Sequence, residues 1–190
     1  MNFWALSLRS WSVFDDFRPL RDETYPNAIP LGWAFAPISG DGAALHGGRF
    51  NPTGRPALYT SLTQQCAWTE AQQGFAFKAQ PVTTCAYAVD CDDIEDLCDP
   101  DTCKRLGVNA TDLSCPWEDI VDRGTIPPSW ELAERLMTAN VAGIVVPSFA
   151  PGATVTMQNV VFWDWSEDRP HQVRVIDDFG RLPRDRSSWS

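Results

Sequence analysis

Residues 46 to 62, HGGRFNPTGRPALYTSL, place three glycines, two prolines and an asparagine ahead of a run, PALYTSL, that reads as a strand. Arg49 stands between the Gly47–Gly48 pair and an aromatic, Phe50. Glycine tolerates positive φ and close approach of the backbone to a ligand, so an arginine beside such a pair can be aimed at an anion. The same letters also spell an ordinary turn, because Gly, Pro and Asn are the usual loop residues. On local letters alone both readings stand.

Working downstream, Ala57 to Ser61 reads as a strand, and Ser61 with Gln64 three residues on forms a capping-box pattern. The pattern predicts a helix that ends near Gly74. Residues 82 to 90, VTTCAYAVD, alternate as a second strand, and the acidic stretch DCDDIEDLCDPDTC that follows reads as a solvated surface insertion. It lacks the glycine and terminal Glu of an EF-hand loop, so calcium is not expected there. Ser129 is placed to cap a helix from Trp130 to Asn140, with Trp130, Ala133, Leu136 and Met137 at helical spacing. GIVVPS, residues 143 to 148, reads as a buried strand ending at Ser148, and Asn159 to Trp165 as another. Four or more strands with two helices give an α+β domain, and RLPRDRSSWS, residues 181 to 190, a polar tail.

The chain has 190 residues, of which 44% are hydrophobic, enough for one domain with a real core. A formal charge of -10 argues against an open surface that tracks phosphates, so nucleic acid is not an expected partner. No basic segment precedes an apolar run at the start and no long apolar span follows; the expectation is a soluble, cytoplasmic protein with no membrane association. In a reducing compartment the six cysteines are expected as free thiols. Cys91, Cys98, Cys103 and Cys115 contain no CxxC pair, and His46 and His171 lie far away in sequence, so no metal site is expected.

Glu70 follows Cys66 and Ala67 by one helical turn and adjoins Ala71, near the face that should be buried. A buried carboxylate needs a partner, whereas a Glu at the edge of an apolar stripe reaches water. Helix geometry leaves both open. Arg49, Tyr59, Glu70 and Ser148 come from a loop, a strand, a helix and a strand end, positions from which side chains commonly converge on a cleft.

HGGRFNPTGRPALYTSLTQQCAWTE, with the later VAGIVVPSFAPGA and NVVFWDW, resembles the RES-domain family, toxins of bacterial toxin–antitoxin pairs named for an Arg, a Glu and a Ser. The resemblance covers about residues 40 to 165 of a single RES-like domain, with 91 to 128 as the acidic insertion. It implies an ADP-ribosyltransferase-like α+β fold that binds NAD as substrate and breaks its nicotinamide–ribose bond. By matching position it implies Arg49, Tyr59, Glu70 and Ser148 as active residues, with His46, Gly48 and Asn51 holding the loop or touching NAD. FAPGA departs from the basic residue that follows the serine in many relatives. The resemblance further implies a cognate antitoxin, and an ADP-ribose acceptor that is a host protein, water or phosphate. A catalytically inactive module that keeps the fold for binding is the reading from another class.

Overall fold

The four consecutive apolar residues of GIVV need cover on both sides, and the fold supplies it. In the computed structural model, which describes residues 18–30, 34–72, 82–185 and 187, this run forms β4 (Gly143–Pro147). It lies between the parallel β3 (Val82–Asp96) and the antiparallel β5 (Gln158–Phe162). Side chains alternate along the strand, so Ile144 and Val146 enter one core with Phe50, Leu132, Leu136 and Val161. Val145 enters the other, with Tyr87, Val89, Val160 and Phe162.

Among the described residues the sheet has six strands. From one edge run β1 (Arg18–Pro30), β3, β4, β5 and β2 (Leu58–Ser61), while β6 (His171–Ile176) pairs with β3. β1 follows β3 from Val82 to Ile94, leaving the other edge of β3 to β6 at Ala86 to Cys91 and then to β4 from Ile94. Between α1 (Asp41–His46) and β2 lies the glycine-rich loop, and α2 (Gln64–Gln72) follows β2. Short helices α3 (Pro100–Leu106), α4 (Ala110–Leu113) and α5 (Trp117–Asp122) lead into α6 (Pro128–Thr138), whose Leu132 and Leu136 cover the core of Ile144 and Val146. The chain is thus a single α+β domain.

Several boundaries differ from the sequence reading for identifiable reasons. Ser61 ends β2 and donates its hydroxyl to Asn159, while Thr63 Oγ1 accepts the Cys66 N–H at 3.2 Å and starts α2 instead. The expected end of this helix near Gly74 lies outside the described residues. Ser129 does not cap α6: it is fully buried inside the helix and accepts from Cys115 Sγ at 3.3 Å, and Pro128 with its preset φ opens the first turn. β5 stops at Phe162, short of the expected Trp165. Leu182, in the expected polar tail, packs against the core.

The largest departure concerns the acidic stretch. β3 does not end at Asp90 but runs to Asp96, and Cys91, Ile94 and Leu97 are buried. Sheet neighbours on both edges override the local charge. The carboxylates that enter with the strand are paired: Glu95, 2% exposed, receives both arms of Arg105 at 2.7 and 3.2 Å, and Asp90 meets Arg169.

Candidate active site

Two glycines shape the start of the loop. Gly47 has φ 75°, a conformation that glycine adopts without strain. At Gly48 a Cβ would lie 2.5 Å from Tyr59 Oη and 2.6 Å from Asn51 Oδ1, so a side chain is excluded by the polar pair behind it. That pair is tightly built. Asn51, fully buried, donates through Nδ2 to the carbonyls of Ala43 at 2.9 Å and Arg55 at 2.8 Å, and accepts the Tyr59 hydroxyl at 2.8 Å. The Phe50 N–H donates to the same hydroxyl at 3.0 Å. Trp130 Nε1 and Trp163 Nε1 donate to the carbonyls of Gly48 and Phe50. The loop is therefore fixed from outside by helix α6 and the chain after β5, and from inside by Tyr59. Burial pushes the Tyr59 phenol above its ordinary value, and its hydroxyl stays a donor to Asn51.

Arg49 leaves this fixed loop and has its own supports. Its Nη1 donates to the carbonyls of Cys115 and, at 3.4 Å, Leu113, and its guanidinium lies 4.7 Å from the centre of the Phe149 ring. Burial lowers its pKa from the ordinary arginine value, opposed by Cys115 and by the negative charges of Glu70 and Glu118. The guanidinium is thus held by backbone and ring at one end, with both carboxylates in its field.

Glu70 lies one turn beyond Cys66 and Ala67, the buried residues of α2. Ser148 Oγ and Asn159 Nδ2 each donate to its Oε1 at 2.6 Å, the pattern an ionised carboxylate accepts. Asn159 is itself oriented, because its Oδ1 accepts from Ser61 Oγ at 2.7 Å and from Cys66 Sγ at 3.3 Å. With Oδ1 so occupied, Nδ2 is the amide group left to face Glu70. Strand register makes this possible: Asn159 pairs with Ser61 on β2 and with Val146 on β4, a strand that ends at Pro147, one residue short of the expected Ser148, which follows it directly.

These groups open onto a cleft of about 590 Å³, within the size range of small-molecule sites. Gly48, Arg49, Tyr59 and Glu70 line it together. Ser148 joins them through Glu70, and Asn51 through Tyr59. His46 ends α1 in an exposed position and is not among the lining residues. Sequence reasoning missed Asn159, Phe149, Trp117 and Glu118, which also line the cleft. Asn159 carried a signal, a polar residue at the head of the apolar run NVVF. Trp117 and Glu118 carried none, since they lie in the stretch read as a surface insertion. Among the described residues no cluster of His, Cys, Asp or Glu could hold a metal ion, and all six cysteines are free thiols.

A family model described as RES domain matches residues 26–185. No curated protein matches the sequence. Among solved structures, the chain is similar to one from the crystal structure of the M. tuberculosis MbcT–MbcA toxin–antitoxin complex. The TM-score is 0.56 at 18% identity, over 82% of this chain and 81% of that one. At that identity the likeness is one of fold.

Proposed function

We propose that this chain, which belongs to the RES-domain family, consumes NAD, cleaving the nicotinamide–ribose bond and transferring ADP-ribose to a host protein as the toxin of a toxin–antitoxin pair. The observation that carries the reading is Glu70, aimed by Ser148 and Asn159 at the wall of a cleft it shares with Arg49. Departure of nicotinamide leaves oxocarbenium character on the ribose, and a fixed carboxylate stabilises that charge without reorganising. Arg49, its Nη1 held by backbone carbonyls, presents its other donors to the pyrophosphate. The Tyr59 ring, pinned through its hydroxyl, stacks on nicotinamide. Gly48 lets the dinucleotide approach the backbone, Asn51 acts through Tyr59, and Ser148 orients Glu70.

The antitoxin partner is inferred from the family and from the structural neighbour, a toxin–antitoxin complex. Among the described residues no helix is long and apolar enough to cross a membrane, and the proposed reaction belongs in the cytoplasm, where NAD is. Transfer to protein is preferred because the segment holding α3 to α5, largely exposed, reaches the cleft at α5 and offers a protein acceptor an outer face on which to dock. Incubating cell lysate with NAD labelled in the adenosine half and separating protein from small molecules tests the acceptor. Label is expected on a discrete protein; label confined to ADP-ribose or its 1″-phosphate would replace transfer by hydrolysis or phosphorolysis.

A further inference from the structure

The cleft holds a second carboxylate that bond cleavage does not use. Glu118, on α5, lines it beside Trp117, and the Arg49 guanidinium interacts with Glu118 as well as with Glu70. A carboxylate in a cleft for a dianionic pyrophosphate is unfavourable unless it accepts hydrogen bonds from the ligand. Resting on the reading that NAD is the substrate, we propose that Trp117 and Glu118 form the adenosine subsite, and that Glu118 selects NAD over NADP by accepting the adenosine ribose hydroxyls and repelling a 2′-phosphate.

The assignment follows by elimination along the cleft. With the nicotinamide ribose at Glu70 and the pyrophosphate at Arg49, the adenosine must extend past Arg49 to another wall. Besides Glu70, Asn159, Tyr59 and the loop, the lining residues are Gly42 and Ala43 of α1, the apolar Val146 and Val161, the Phe149 ring and Trp117 and Glu118 of α5. Phe149 is already covered by the guanidinium and packs 6.4 Å from Phe50. Among these described lining residues only α5 supplies an aromatic face and a carboxylate acceptor side by side. Trp117 is steadied by Trp130, ring centres 6.3 Å apart, and Trp130 is itself tied to the Gly48 carbonyl. The segment before α5 is anchored to Arg49 through Leu113 and Cys115, so the two subsites are built as one unit. A ribose diol donates to a carboxylate, whereas a 2′-phosphate would bring like charge against it.

Nicotinamide release from NAD and from NADP, measured at steady state for wild type, Glu118→Gln and Glu118→Arg, tests this. Wild type is expected to favour NAD in kcat/KM by about ten-fold or more. Glu118→Gln should narrow the ratio through a lower KM for NADP, and Glu118→Arg should narrow it further or invert it. Glu118 is exposed, so both variants are expected to fold, and matching circular dichroism confirms it. Equal use of the two dinucleotides by wild type, or a ratio unmoved in both variants, would overturn the proposal while leaving NAD cleavage intact. No release from either dinucleotide by wild type would overturn the proposed function, and the subsite with it.

Discussion

Glu70 owes its aim to residues far away in sequence: Ser148 is 78 positions on and Asn159 is 89. Each donates to the same oxygen, so loss of either should let the carboxylate swing rather than discharge it. Asn159→Leu is expected to lower kcat by about 10- to 100-fold with KM for NAD little changed, the signature of a misplaced reacting group. A rise in KM at normal kcat would instead make Asn159 a substrate contact. Tyr59 gives a second test at this scale. Tyr59→Phe strands the Phe50 N–H and the Asn51 Oδ1, at a cost of about 1–3 kcal/mol at neutral pH. Because burial raises the phenol above 10, its contribution is full below pH 10; above that the unfolded chain releases the proton first and the contribution declines. Urea unfolding should therefore show the gap between wild type and Tyr59→Phe narrowing from pH 8 to pH 10.5. A gap that widened would refute the assignment. Of these residues, Arg49, Tyr59, Glu70 and Ser148 were legible only through the family motif. Local letters left Arg49 open between a turn and an anion contact, and Glu70 between a helix edge and a buried partner, because neither composition nor periodicity reports which distant side chains will meet them.

At the scale of elements, β3 is where sequence reading failed most instructively. Five carboxylates in seven residues look solvated, yet the strand continues because each edge is occupied. From Cys91 to Ile94 the register against β1 gains a residue on β3, and Asp93 there has φ 58°. At this bulge the edge of β3 passes from β6 to β4. His171 spans it, with Nε2 3.2 Å from Asp93 and Nδ1 2.8 Å from Asp164. Periodicity cannot foresee such a handover, since it depends on strands paired across 49 or more residues. The paired carboxylates carry a measurable consequence. Arg105→Ala leaves Glu95 buried with its bidentate partner removed; allowing for the partial exposure of Arg105, the loss should be about 2 kcal/mol in urea unfolding. A change below about 0.5 kcal/mol would mean that Glu95 is satisfied by other groups.

Across the whole molecule, the parts that could be read from sequence were those governed by local rules. GIVV as a buried strand, the strand before α2 and the apolar stripe of α6 all lie close to where they were expected, and the α+β class followed from them. β1, β6 and the three short helices α3 to α5 did not announce themselves, because long-range pairing and packing against α6 define them. Those unannounced elements matter to the site, since α4 supplies a carbonyl to Arg49 and α5 lines the cleft beside it. A chain with net charge -10 sets one guanidinium in the field of two carboxylates lining this cleft, a balance suited to a single small anion rather than an extended polyanion. The role of Glu70 in NAD cleavage is decided by nicotinamide release from NAD by the purified chain beside its Glu70→Gln variant, with NAD affinity read on both. Release by wild type is expected, with a loss of about 100-fold or more in the variant at nearly unchanged affinity. Release by Glu70→Gln at a rate near that of wild type would contradict that role.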